Sequence, residues 1–296
     1  MIEIKDVSKS FGDKVILDHL HLTIKQGCVF GLIGPNGAGK STLLRILNGI
    51  LKADEGSALY NGIDVYENVP VKNDILFISD DPYYFTYATM KEMKEFYQLW
   101  YPLFDEETYQ YYLTLFHLDE VKKIKDFSKG MKRLALLCIA LAVSPKYLLL
   151  DEAFDGLDPM MRLHFKRAVN QCIEEKEMTI IISSHNLREL EDICDSFGIL
   201  DNGRITTSGD IDQTKSQIHK IQLAFLEQVN KDVFDELDVL SMNLQSRVVN
   251  LVVKGDIDEI KEFLSRLNPL MVEILPVNLE EVFIYEMERK GDGINE

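Results

Sequence analysis

Gly34-Pro35-Asn36-Gly37-Ala38-Gly39-Lys40-Ser41 is the stretch that decides the fold. It satisfies the pattern Gly-x-x-x-x-Gly-Lys-Ser/Thr, which a chain of this length meets by chance only about once in a hundred at average composition. The context is right as well. An apolar run, Val29 to Ile33, leads into it as a buried strand, and the residues from Lys40 to about Leu51 predict a helix. Glycines there let backbone N–H groups turn inward on a phosphate, and the helix N-terminus adds positive potential. Lys40 can then reach the outer phosphates and Ser41 can ligate Mg²⁺.

Outward from this loop the chain alternates strands and helices. Strands are expected at Ile2 to Val7, Val15 to Ile24, Ser57 to Tyr60 and Ile75 to Ile78. From Tyr83 to about Val143 the composition turns helical and aromatic-rich, which predicts an inserted helical lobe over residues 83–145. Strand character returns at Tyr147 to Leu150, an apolar run suited to a parallel strand covered on both faces. A helix Pro159 to Glu175, a strand Thr179 to Ile182, a helix to about Cys194 and a strand Phe197 to Leu200 complete an α/β first domain, residues 1–214. After Thr214 the expected order is strand His219 to Phe225, helix Val233 to Leu237, strands Ser241 to Gln245 and Val248 to Val253. Helix Ile257 to Leu267, strand Met271 to Leu275 and a helix Leu279 to Glu288 follow. That order predicts a small α+β, ferredoxin-like C-terminal domain, residues 215–296.

Composition narrows the function classes. With 49 acidic against 32 basic residues, the formal charge of -17 repels a phosphate backbone, which argues against a nucleic-acid partner. The longest apolar stretches, Leu134 to Val143 and Tyr147 to Leu150, fall short of the roughly 20 residues of a membrane span. The N-terminus lacks the basic start and apolar block of a secretion signal, so a cytoplasmic location is expected. Cys28, Cys138, Cys172 and Cys194 are scattered without Cys-x-x-Cys spacing and read as reduced, buried thiols.

A phosphate loop alone leaves kinases, GTPases and many other nucleotide users open. Leu148-Leu149-Leu150-Asp151-Glu152 adds two carboxylates at the end of a buried strand, where Asp151 can serve Mg²⁺ and Glu152 can polarise an attacking water. The run Glu152-Ala153-Phe154-Asp155-Gly156-Leu157-Asp158-Pro159, with Phe127-Ser128-Lys129-Gly130-Met131 upstream and Ser183-Ser184-His185 downstream, then resembles the ABC ATPase family. The resemblance covers about the first two-thirds of the chain and extends to nucleotide-binding subunits of bacterial ABC-2-type export systems. It implies a P-loop NTPase (RecA-like) core with an inserted helical subdomain.

It also implies ATP and Mg²⁺ as ligands and a head-to-tail dimer, homomeric or heteromeric, with ATP between one subunit's phosphate loop and the other's signature segment. Under it, Gly34 to Thr42 (Gly34, Pro35, Asn36, Gly37, Ala38, Gly39, Lys40, Ser41 and Thr42) bind nucleotide. Asp151 and Ser41 hold Mg²⁺, Glu152 is the catalytic carboxylate, His185 contacts the γ-phosphate, and Phe11 stacks on adenine. Ser128, Lys129, Gly130 and Met131 act in trans, and Asp155 to Asp158 couple the two sites. Three positions depart from the family pattern: Asp80 stands where many members place a glutamine, Lys129 replaces a glycine, and Met131 replaces a glutamine. A carboxylate at Asp80 is expected to approach Mg²⁺ directly, and Lys129 to add a cation near phosphate.

Tyr83-Tyr84-Phe85-Thr86-Tyr87 is expected to face a partner, whereas Phe96 and Trp100, four residues apart, are expected in the helical lobe's core. His19 and His21 share a strand face but lack a third metal ligand. The expectation is therefore an ATP-hydrolysing transport subunit, peripheral on the cytoplasmic face of the membrane and driving export through a separate transmembrane permease. A soluble relative that regulates ribosomes or nucleic-acid complexes is the alternative, and the charge disfavours it.

Overall fold

Period-two alternation at the N-terminus does form strands, longer than expected. In the computed structural model, which describes residues 1–282 without the side chains of 174–176, β1 (Ile2–Phe11) and β2 (Lys14–Ile24) pair antiparallel through a turn at Gly12. β3 (Val29–Ile33) is buried throughout and runs into α1 (Lys40–Leu47). That helix stops four residues before the expected end because Gly49, at φ 67°, closes it in the left-handed region. β4 (Glu55–Tyr60), β5 (Ile63–Asp64), α2 (Val69–Lys72) and β6 (Ile75–Ile78) follow.

The lobe comprises α3 (Met90–Trp100), α4 (Glu106–Leu115) and α5 (Lys129–Val143). Thr89 and Glu92 form a capping box on α3, Asp105 caps α4, and Ser128 caps α5. α5 is buried over most of its length and supplies the lobe's centre, with Tyr109, Tyr112 and Phe116 packed in its neighbourhood. Phe96 and Trp100 do not belong to that core: Trp100 is 70 % exposed and Phe96 36 %. The buried stripe of α3 is set by Met90 and Met93 and continues through the half-buried Tyr97 and Tyr101. Phe96 and Trp100 lie one residue, about 100°, around the helix from it.

β7 (Tyr147–Leu150), α6 (Pro159–Lys176), β8 (Thr179–Ser184), α7 (Leu187–Glu191), β9 (Ser196–Asp201) and β10 (Arg204–Asp210) restore the alternation. The six-stranded sheet has the order β10-β9-β3-β8-β7-β6, and β9, β3, β8, β7 and β6 are mutually parallel. A separate four-stranded sheet, β2-β1-β4-β5, is antiparallel. One hydrophobic cluster joins Ile2, Ile4 and Leu22 of the first strands to Leu43, Leu44 and Leu47 of α1 and to Phe30, Leu32, Leu149 and Ile181 of the parallel sheet. Full burial of each such side chain contributes about 1.5–3 kcal/mol, so α1 is fixed from both sides.

The chain divides into two compact units, Met1–Ser208 and Gly209–Glu296. The division lies a few residues before the expected boundary because α8 (Ile211–Lys215) packs against β11 (Ile218–Ala224) of the second unit. β12 (Asp238–Gln245), β13 (Val248–Lys254), α9 (Ile257–Arg266) and β14 (Met271–Leu275) complete its described part. The sheet order β12-β13-β11-β14, antiparallel throughout, is the ferredoxin-like arrangement. The helix expected at Val233 to Leu237 is instead a single 3-10 turn, Lys231–Phe234, because β12 begins at Asp238 and leaves no room for more. Of the helix expected from Leu279 to Glu288, only the start lies within the described residues.

Candidate functional site

Parallel strands bring the motifs to one edge. Register pairs Ile33 with Ser184, Leu150 with Ile182, and Ile78 with Leu150, so Gly34, Asp151-Glu152, Ser183-Ser184-His185 and Ser79-Asp80 all leave the sheet at its carboxyl side. A cleft of about 420 Å³ opens there, lined by Phe11, Lys14, Ile16, Asn36, Gly37, Gly39, Lys40, Ser41, Thr42, Asp80 and Glu152. Gly39 sits at φ 109°, and a Cβ there would lie 2.8 Å from Leu17 and 3.0 Å from the Ile16 carbonyl, so only glycine fits this entry into α1. No side chain caps α1, which leaves its first N–H groups available to a phosphate.

Lys40 is 5 % exposed and its ammonium is shared three ways. It donates to the carbonyls of Gly34 at 2.7 Å and Pro35 at 3.2 Å, and pairs with Glu152 Oε1 at 3.1 Å. The other oxygen of Glu152 meets His185 Nδ1 at 2.9 Å. Burial pushes the Glu152 carboxyl up, but His185 and Lys40 together outweigh that and hold it below its ordinary value. Glu152 also sits at φ 47°, a left-handed conformation that costs a non-glycine residue about 1–3 kcal/mol. Ser183 anchors this backbone: its hydroxyl accepts from the Glu152 N–H at 2.9 Å and donates to Asp151 Oδ1 at 2.6 Å. Ser183 and Asp151 are both buried, so a lost partner on either would be felt directly.

Divalent-cation binding fits the donors present. Ser41 and Asp151 are hard oxygen ligands, and among the described residues no group of three His, Cys, Asp or Glu could hold a metal unaided. Ser41 and Asp151 would hold Mg²⁺ together with phosphate oxygens and water, the ligands that ion favours. Asp80 reaches the cleft wall, but its carboxylate is engaged elsewhere, by the guanidinium of Arg133 and, at 3.6 Å, by Lys129. The direct approach to Mg²⁺ expected of Asp80 is thus opposed by two cations.

Phe11 is 52 % exposed at the mouth of the cleft, its ring 5.6 Å from Lys9 Nζ, so one face of the ring is open to a planar partner. Ser128, Lys129, Gly130 and Met131 are not among the residues lining this cleft. Ser128 Oγ accepts from the Met131 N–H at 3.2 Å as the cap of α5. Lys129 donates to Asp155 Oδ2 at 2.7 Å within its own chain. Asp158 caps α6 through the Met161 N–H. His19 and His21 share Asp6 as a partner, at 2.9 and 3.3 Å.

Sequence reasoning missed two contributors. Ser183 was read only as a neighbour of His185, because a serine inside a strand carries no signal of its own. Arg133 was not singled out because it follows Lys132 at the polar start of α5, before the apolar run Leu134 to Val143, and reads there as one more surface cation; it is 4 % exposed and binds backbone carbonyls of Asp80 and Asp155.

The chain is similar to known proteins over most of its length. The ABC transporter family model matches residues 17–155. The ABC transporter ATP-binding protein YtrB of Bacillus subtilis (strain 168) is 34 % identical over 285 residues, 96 % of this chain and 97 % of that one. The lantibiotic transport ATP-binding protein SrtF of Streptococcus pyogenes is 33 % identical over 218 residues, 73 % of this chain and 93 % of that one. A solved ATP binding subunit of an ABC transporter superposes with a TM-score of 0.66 at 29 % identity, covering 73 % of this chain and 92 % of that one. With its phosphate loop, paired carboxylates and histidine assembled at one sheet edge, this chain belongs to the ABC transporter ATP-binding proteins and is an ATPase that uses ATP with Mg²⁺.

Proposed function

We propose that the chain powers export through a separate transmembrane permease on the cytoplasmic face of the membrane, by ATP-dependent closure of a homodimer. The observation that carries the reading is the convergence of Lys40, Glu152 and His185, at 3.1 and 2.9 Å. Lys40 is both the partner of Glu152 and the natural ligand of the outer phosphates. When it moves to a phosphate oxygen, Glu152 is released to take the proton of an attacking water while His185 orients the carboxylate and contacts the γ-phosphate. Ser41 and Asp151 hold Mg²⁺, which when bound neutralises phosphate charge. Gly34 to Thr42 cradle the phosphates and Phe11 stacks on the base.

A homodimer is favoured because one chain carries both half-sites, a phosphate loop with its carboxylate and a signature segment, so two copies make two sites. Ser128 and Gly130 would then act on the partner's ATP. Two chains of -17 repel each other, and nucleotide contacts must supply much of the closing force. Among the described residues no helix is long and apolar enough to cross a membrane. Tyr83 and Trp100, 77 % and 70 % exposed, are linked through Phe85 and Phe96 into an aromatic surface suited to a permease helix, and Tyr87, 69 % exposed, lies against Lys125 Nζ at 4.7 Å. Export is favoured by the signature Phe-Ser-Lys-Gly-Met and the small C-terminal unit, and by likeness to SrtF, whose name assigns it to lantibiotic transport.

The test is co-purification of the tagged full chain from detergent-solubilised native membranes, followed by identification and stoichiometry of its partners. A multi-span permease at fixed stoichiometry is the expected result. Ribosomal or nucleic-acid partners without a permease would overturn the transport reading.

A further inference from the structure

Three segments of the first unit meet in a charge cluster that the cleft chemistry does not use. Arg133, buried near the start of α5, donates to the Asp80 carbonyl at 3.0 Å and binds both the Asp80 carboxylate and the Asp155 carbonyl. Lys129, one turn earlier, donates to the Asp155 carboxylate at 2.7 Å and approaches Asp80 Oδ1 at 3.6 Å. Two acids and two bases thereby close a neutral ring across the loop after β6, the first turn of α5 and the segment after β7. The same three segments touch through backbone: a Cβ on Gly130 would stand 2.4 Å from the Gly156 carbonyl. Any slackening of the charged ring therefore opens a contact that has no side chain to fill the gap.

We propose that Asp80 and Lys129 are matched positioning residues which, with Arg133, clamp the sensor loop, the signature turn and the Asp155 segment into one ionic junction, and that Asp80 serves this junction rather than Mg²⁺. Arg133 explains why a carboxylate is needed. Its Nε has no hydrogen-bond partner, so the remaining contacts must offset the desolvation of a buried cation. A neutral side chain at position 80 would leave that cation with carbonyl oxygens alone. Lys129 explains why the acid must be shared. A second cation beside Arg133 is tolerable only where Asp80 and Asp155 stand between them, and Lys129 indeed holds the Asp155 carboxyl below its ordinary range. The two residues that depart from the family pattern at these positions therefore compensate each other. The junction would transmit any movement of the loop after β6 to Ser128 and to Asp155 together.

The inference concerns how the ATPase is held together and stands whether cargo moves in or out. It is tested on the full-length chain with Asp80→Asn, Lys129→Ala and the double variant, using amide hydrogen exchange and Mg²⁺ titration of fluorescent ATP-analogue binding. Each single variant should raise exchange about fivefold in both 128–133 and 153–158. The double should exceed the larger single effect by no more than about twofold, as expected of coupled sites. The Mg²⁺ concentration for half-maximal nucleotide binding should stay within about twofold in Asp80→Asn. Unchanged exchange at 153–158, or a tenfold rise in the Mg²⁺ requirement, would overturn the proposal. Lys129 is 57 % exposed, so its variant keeps the exchange test available should Asp80→Asn fail to fold.

Discussion

Replacing Glu152 with glutamine separates the two duties that the structure gives this carboxylate. Glu152 is 16 % exposed and touches Lys40 Nζ at 3.1 Å and His185 Nδ1 at 2.9 Å. Glutamine keeps the length and one acceptor oxygen but can neither take a proton from water nor neutralise Lys40. Loss of a positioned general base costs about 10²–10⁴ in rate, or roughly 3–5 kcal/mol at 1.36 kcal/mol per decade. Turnover at saturating ATP and Mg²⁺ should fall by that factor.

ATP affinity should move the other way. At an effective dielectric of 20 the Lys40–Glu152 attraction is about 5 kcal/mol before desolvation, and most of that is cancelled by the cost of burying both groups. If about 1 kcal/mol survives, removing the negative charge releases Lys40 to phosphate with a gain in affinity of about fivefold. Phosphate release gives the first quantity, and equilibrium binding of a fluorescent ATP analogue to the same preparation gives the second. The closed dimer should also persist, since binding is retained while hydrolysis is not. Glu152→Gln with wild-type turnover would refute the catalytic assignment. A tenfold loss of ATP affinity would refute the idea that Glu152 competes with phosphate for Lys40.

Gly130→Ala forces a Cβ to 2.4 Å from a backbone carbonyl, and overpacking of this kind costs about 1–3 kcal/mol; at 2–4 °C per kcal/mol, Tm should drop by about 2–12 °C, read by calorimetry. Trp100→Ser, at a site 70 % exposed, should leave Tm nearly unchanged but weaken permease co-purification by about tenfold, the loss of one hot-spot side chain. Acid sensitivity follows from the depressed carboxyls of Glu152 and Asp155: their contribution to stability is complete above the ordinary values of 4.5 and 3.8 and is lost as pH falls through their lower folded values. Denaturant midpoints below about pH 4 should therefore fall more steeply in the native chain than in Lys129→Ala, which removes the cause of the Asp155 shift. His19 works in the opposite sense, its pKa raised by Asp6, so its contribution is present below 6.5 and fades as pH rises; Asp6→Asn should remove that dependence.

The parts of the molecule legible in sequence are those whose chemistry is local. Gly34 to Ser41 reads as a phosphate loop because the loop itself makes the contacts, and Asp151-Glu152 reads as a site because a buried strand ends there. The second unit was legible for a different reason: the order of its strands and helices along the chain names the ferredoxin-like pattern, which places β11 between β13 and β14 although only β12 and β13 are consecutive neighbours. β10 was missed because Arg204–Asp210 contains one apolar residue, Ile205, and shows no alternation to detect. Trp100 was misplaced because one stripe on a helix resembles another until a partner selects it, and Met90 and Met93 made that selection.

The charged junction was illegible for a deeper reason. Asp80, Lys129, Arg133 and Asp155 belong to three separated segments, and read singly Asp80 and Lys129 are departures, Arg133 goes unremarked, and Asp155 is assigned to coupling across the dimer. Only folding brings Arg133 against Asp80 while Lys129 reaches Asp155. A substitution that looks damaging beside a family pattern can thus be half of a pair, and the harm or benefit of either half depends on the other. It follows that restoring the family residue at one position alone should hurt. Asp80→Gln would strip a buried guanidinium of its carboxylate, whereas Asp80→Gln combined with Lys129→Gly removes one cation and one anion together. Steady-state ATPase activity of the full chain should therefore fall further in Asp80→Gln than in the double variant. Equal losses in the two would show that Lys129 plays no part in holding Asp80.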